Sequence, residues 1–350
     1  MISTEHMKKY ILFVTVVLLG VSCSNNDKSL KTNISSQSVI DSLINGIAMD
    51  NILNDEGIGI GWKENDQWKR YIRLSEIATE EELVELTDHE NAVVRGYSFQ
   101  ALAKNKSSQV FPILINHLTD TAMVTSFSGC FKTDQMLGDY LIDVVTIDKN
   151  DTTDYKLDDR EQAIVDIILL FDKSIQLSTR TNLLLKLPPK EEYYNRIKEI
   201  LLEGDEDFAL PLLAKYRKKA DKKLIVEKLT STNREDWYYG LMAVRNYPDP
   251  DFYPYLVELY NYEMTQDKGL TRPSIRILYQ AIVQYKNKRS CDLIKQTLSE
   301  KDRTDLNYQN ECIYLALTKY PNKIYNGLKE LIKLTDLQLQ DIEYSIDSDT

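Results

Sequence analysis

The sequence predicts an all-α protein, an α-α superhelix of stacked helix pairs interrupted by one irregular insertion, on three observations. A phrase recurs as ALAKNKSSQVFPILINHL from Ala101, AVRNYPDPDFYPYLVEL from Ala243, AIVQYKNKRSCDLIKQTL from Ala281 and ALTKYPNKIYNGLKEL from Ala316. In each copy a small residue ends one apolar face, a short polar turn follows, and an amphipathic run closes on Leu118, Leu259, Leu298 or Leu331. Apolar residues also recur at three- and four-residue steps, as in Ile164, Ile167, Ile168 and Phe171, or Ile197, Ile200 and Leu201. Prolines fall where a missing amide does no harm: Pro188, Pro248, Pro250 and Pro321 between helices, and Pro112, Pro254 and Pro273 in first turns.

Residues 1–22 read as an export signal. From Met7, a more natural start than Met1 because Glu5 precedes the basic pair, the chain runs Lys8-Lys9, then apolar Ile11 to Leu19, then Gly20-Val21-Ser22-Cys23. The stretch is too short to cross a bilayer, which takes about 20 apolar residues in a helix. Leu18 to Cys23 resembles the lipobox of bacterial lipoproteins, with Gly20 where that family prefers Leu. The resemblance implies cleavage between Ser22 and Cys23 and lipidation of Cys23. Several acyl chains would then hold the protein stably, since two or more are needed. Ser24 is compatible with delivery to the outer membrane. An ordinary cleaved signal followed by an incidental cysteine shares the same short apolar region.

The region 23–66 is expected to be a lipidated tether, with a linker over Lys28 to Ser38 and a short helix from Val39 to Leu53. Gly57-Ile58-Gly59-Ile60-Gly61-Trp62 lacks a preceding strand and a helix N-cap, so it is no phosphate loop; a bend with Trp62 packed on the first helix is expected. Residues 67–345 form the repeat domain and 346–350 a polar tail. Its first unit, Glu82 to Leu102, resembles a HEAT-type repeat. In that family an Asp closes the first helix and a Val-Arg pair opens the second before Ala-Leu. Here Asp88, Val94-Arg95 and Ala101-Leu102 stand in those places. The resemblance implies that Arg95 bonds to neighbouring turns as a structural group.

An insertion of about 120–158 breaks the pattern. Thr121 to Phe131 is neither helical nor strongly alternating, and Asp148 to Asp159 is acidic and polar. Insertions in such arrays map to loops on one face, often the binding face. Degenerate copies of the phrase follow from Leu183 and Leu212, closing at Leu201 and Leu229. The 22 tyrosines are expected at helix-pair seams.

Charge and reactive residues narrow the function classes. The formal net charge is −11, and the signal carries two of the lysines, so phosphate backbones would be repelled and nucleic acid is no expected partner. The basic run Lys215 to Lys223 is read as a solvated helix end and turn. Cys130, Cys291 and Cys312 do not make a disulfide framework, and no CxxC occurs. His89 and His117 lie too far apart for metal or triad spacing. No catalytic residue, metal or cofactor is expected. The expected function is that of a membrane-tethered cell-envelope scaffold that binds a protein or peptide; a HEAT-like lyase-type enzyme and an immunity-like inhibitor of one partner are the alternatives.

Overall fold

The structure, a computed structural model, describes residues 30–59, 61, 65–146, 154–203, 206–265, 269–300 and 306–348. Ser22, Cys23 and Trp62 lie outside them, so the signal cleavage, the lipid attachment and the Trp62 packing do as well. The described residues are mostly helical, with one small sheet, and the chain divides into two compact units, 1–180 and 181–350. No helix among the described residues is long and apolar enough to cross a membrane.

The first unit opens on α1 (Leu30–Asp50). Helix therefore begins within the stretch expected as a linker, and Ile40 and Ile47, seven residues apart, bury against the body. Next come β1 (Leu53–Ile58), α2 (Asp66–Ile77), α3 (Glu80–Leu86), α4 (Ala92–Lys104) and α5 (Val110–Asn116). Capping explains the starts. Asn65 accepts the Trp68 amide, Thr79 and Glu82 form a reciprocal capping box, and Asn91 accepts the amides of Val93 and Val94. α4 is the central element, packed against α2, α3 and the later α6, and it buries Val93, Val94, Tyr97, Phe99, Ala101 and Leu102.

Two expectations are corrected in this unit. The insertion is not irregular. It contains β2 (Met123–Gly129) and β3 (Phe131–Met136), a hairpin turning at Gly129-Cys130, followed by α6 (Leu137–Thr146). Nor does the Gly57-Ile58 segment lack a strand, because it ends β1, which pairs parallel with β2 (Leu53↔Ser126, Asn54↔Phe127). The bend starts only at Gly59, at a φ of +69° that suits glycine. Neither strand carries a clean apolar alternation, because the hairpin leaves most of its side chains in solvent. What holds β1 is instead a distant side chain. The Tyr97 hydroxyl donates to the Asn54 carbonyl at 3.0 Å and accepts the Asn54 amide at 2.6 Å. α6 then returns Leu137, Leu141, Ile142 and Val145 to the core, and α7 (Asp159–Phe171) follows under an Asp158/Glu161 capping box.

The division between the units falls within α8 (Thr179–Lys186). The second unit continues with α9 (Tyr194–Glu203), α10 (Ala209–Ala214), α11 (Lys222–Leu229), α12 (Arg234–Asn246), α13 (Tyr253–Thr265), α14 (Arg272–Val283), α15 (Lys288–Ser299), α16 (Leu306–Lys319) and α17 (Asp336–Ser348). Contacts alternate: α10 packs on α12, α12 on α14 and α14 on α16, while α11, α13 and α15 pack beside this row. The small residue that opens each recurring phrase explains the row. Ala243, Ala281 and Ala316 each sit near the end of an inner helix and are fully buried, so a larger side chain would hold neighbouring helices apart.

Tyrosine hydroxyls then tie each turn to the one before. Tyr216 donates to the Lys190 carbonyl, Tyr285 to that of Asp249, Tyr308 to that of Arg272 and Tyr325 to that of Val283, at 2.7–2.9 Å. The Lys190, Asp249 and Val283 carbonyls also accept a backbone amide, so the hydroxyl is a second donor that adds a side-chain tie to the local turn. The prolines lie as expected, in turns or first turns, and Pro250 opens a short 3-10 turn.

Candidate functional site

Of the signature residues of the first unit, Val94, Arg95 and Ala101 share α4, while Asp88 stands apart on the surface. Val94 and Ala101 are fully buried in α4. Arg95 grips Asp120 with two hydrogen bonds, Nε to Oδ2 at 3.0 Å and Nη2 to Oδ1 at 3.2 Å. Its Nη1 donates to the carbonyls of His89 (2.7 Å) and Glu90 (3.0 Å). Asp88 does not take this place. It is largely exposed and approaches His117 Nε2 at 3.5 Å, while His117 Nδ1 faces Asp120 at 3.6 Å. Asp120, which the sequence reading assigned to the insertion, is thus the real partner of Arg95. One guanidinium on α4 thus joins two turns, the one before its own helix and the one that holds Asp120.

A second acidic cluster lies on α6. Asp139 is buried and saturated: its two oxygens accept the amides and hydroxyls of Ser178 and Thr179 at 2.6–3.1 Å, which caps α8. Asp143, one turn later, has its carboxyl pushed up to about 6 by burial and by the Asp139 charge. The two share a helix face, but all four bonds to Ser178 and Thr179 go to Asp139, which leaves it no free lone pair for a reactant and makes it the cap of α8. Among the described residues no group of three or more His, Cys, Asp or Glu side chains has the arrangement of a metal site. Cys130 is exposed at the hairpin tip, and Cys291 and Cys312 are buried without a disulfide.

The second unit holds a cleft of different character, about 150 Å³ in volume. α8 supplies Leu184 and Leu185, α10 supplies Pro211 and Leu212, and α12 supplies Met242, Arg245 and Asn246. Lys215, just past α10, and Tyr320, just past α16, complete the wall. The floor is apolar because these are the ends of the same faces that build the core. Asn246 spends its amide on the Pro211 carbonyl at 2.8 Å, which fixes α12 against α10. The charged groups of the cleft are both cations, and no carboxylate lines it.

In the sequence this site is hidden, because Lys215 opens a basic run with the pattern of a solvated helix end. Most of that run behaves as expected and finds carboxylates: Lys218 pairs with Glu191, and Lys222 with Asp249 and Asp251. Lys215 instead turns inward, and burial with the neighbouring Arg245 charge lowers its ammonium pKa from the ordinary value. Arg245 is 7% exposed. Its Nη1 donates to Gln280 Oε1 at 3.0 Å, but its Nε, buried, has no partner. A signal was present: Arg245 sits in AVRNY, where the matching phrases have Val283 and Thr318 near their helix ends, so a charge enters an otherwise apolar or neutral position. No protein family, curated protein or solved structure matches the chain.

Proposed function

We propose that this protein is a lipoprotein of the bacterial cell envelope, anchored through Cys23, whose stacked helix pairs continue as a superhelix and hold a protein or peptide partner. The outer membrane is its proposed location. The observation that carries the binding role is the cleft at the ends of α8, α10 and α12, where two cations stand without a carboxylate in a chain of net charge −11. An acidic protein that served only as a spacer would have no reason to bury an arginine with an open donor, since such a group costs stability until something satisfies it. The HEAT-like arrangement is supported by the alternating contacts of the inner helices and by the turn-joining role of Arg95. The binding role is tested by affinity capture from detergent-solubilised envelope, comparing the wild-type chain with Lys215→Glu. The expected result is one or more partners held by the wild type and lost from the variant. Identical capture by both would remove the cleft from the binding surface.

A further inference from the structure

We infer that the cleft formed by Lys215, Arg245, Leu184, Leu212, Met242 and Tyr320 binds a carboxylate joined to a small apolar group, as the C-terminal residue of a peptide presents them. The inference rests on the binding role proposed above and names the chemistry that the site would take.

The ligand class follows from what the cleft has and lacks. Arg245, whose buried Nε has no partner, and Lys215 beside it both line a site whose walls carry no negative charge. Cations left in this way are completed by an anion, and charge-assisted bonds to a guanidinium or ammonium are among the stronger hydrogen bonds available. A bare inorganic anion fits poorly, because Leu184, Leu185, Pro211, Leu212 and Met242 would strip its hydration on one side and return nothing. A body with one charged end and one apolar end satisfies both halves of the wall. The volume of about 150 Å³ accommodates a carboxylate and a side chain of a few carbons. A nearby anion would also move the depressed Lys215 pKa back toward its ordinary value.

The peptide source is the one the proposed function anticipates, and a free small acid is the other source of the same chemistry. Isothermal titration calorimetry on the full chain in mild detergent separates them. The probes are an N-acetylated hexapeptide ending in leucine with a free carboxylate, the same peptide as its C-terminal amide, and N-acetyl-leucine. The peptide acid is expected to bind, and the amide to bind at least about tenfold more weakly, the cost of one charge-assisted pair. Lys215→Met, at a half-buried position that threatens the fold little, should weaken the acid by a similar factor, and Arg245→Lys should weaken it while keeping the Gln280 contact within reach. Equal binding of acid and amide, or of wild type and Lys215→Met, overturns the inference, as does binding of no probe. Binding of N-acetyl-leucine without the peptide keeps the carboxylate site but overturns the peptide role. Partner capture that survives Lys215→Glu, with carboxylate binding lost, places the partner's contact elsewhere and sinks the proposed role of the cleft alone.

Discussion

Individual charges show how local geometry decides a residue's role. Asp143 binds its proton more tightly folded than unfolded, because burial, then the Asp139 charge, opposes its ionisation while a Gln135 hydrogen bond works against that rise. The folded carboxyl titrates at about 6, against about 3.9 in an unfolded chain. Its stabilising effect is therefore complete below roughly pH 4 and is lost as the pH rises through about 6. The group is only half-buried, so solvent screening limits the effect to on the order of 1 kcal/mol. Asp143→Asn should flatten the stability profile over that window and make the protein more stable at neutral pH; denaturant titrations at pH 4, 5, 6 and 7 measure this, and an unchanged slope would refute it. Arg95 is the opposite case, a charge fully spoken for. Arg95→Met leaves Asp120 and two carbonyls without their donor and should cost about 3 kcal/mol. Arg95→Lys should recover only part, since an ammonium lacks the fork that meets both Asp120 oxygens. A lysine variant as stable as the wild type in urea unfolding would contradict the bidentate grip. Of these roles, only that of Arg95 was legible in the sequence, through the resemblance of Glu82 to Leu102 to a HEAT-type unit. Its partner Asp120 lies 25 residues away, and no local signal points across that distance.

At the scale of elements, the alanines and prolines carried most of the information that the sequence held. A small residue at the end of an inner helix and a proline at a turn are consequences of close packing and of a missing amide, and both act locally, so they can be read in order along the chain. The sheet was not legible for the same reason in reverse. β1 is held by parallel pairing to a strand some seventy residues on and by the Tyr97 hydroxyl, neither of which leaves an alternating pattern. α6 shows the practical consequence: removing the whole insertion would take Leu137, Leu141 and Val145 out of the core, so a test of the hairpin must spare that helix. Gly240 makes a sharper element-scale prediction. In the middle of α12, replacing glycine with alanine should by propensity gain about 1 kcal/mol. Here the added Cβ would lie 3.1 Å from the Leu229 amide nitrogen and 3.0 Å from its side chain, where α11 ends. Backbone has to move, and we expect Gly240→Ala to destabilise by about 1–2 kcal/mol instead. A raised thermal midpoint would mean that α11 and α12 separate more easily than their packing implies.

For the whole molecule, the decisive question is whether the proposed lipid at Cys23 is what would hold it at a membrane. No helix among the described residues is long and apolar enough to span one, and a net charge of −11 opposes adhesion to an anionic leaflet, where each basic residue near the surface would contribute about 1 kcal/mol and each acidic one works the other way. Lysine and arginine are outnumbered 43 to 54 by aspartate and glutamate, so the net charge of the chain gives no attraction to an anionic surface. If Cys23 carries the lipid, attachment depends on that one atom: Cys23→Ser should move the protein from the membrane pellet to the soluble fraction after export. The wild type should stay in the pellet through high salt and alkaline carbonate, which strip proteins held by charge alone. Mass spectrometry of the wild-type N-terminus supplies the second readout, with an acylated residue expected at Cys23 and an unmodified, differently cleaved terminus in the variant. Equal pelleting of both forms would eliminate the lipid anchor. A wild type that is soluble after export would instead identify an ordinary cleaved signal, leaving the carboxylate-binding cleft to be judged on its own titrations.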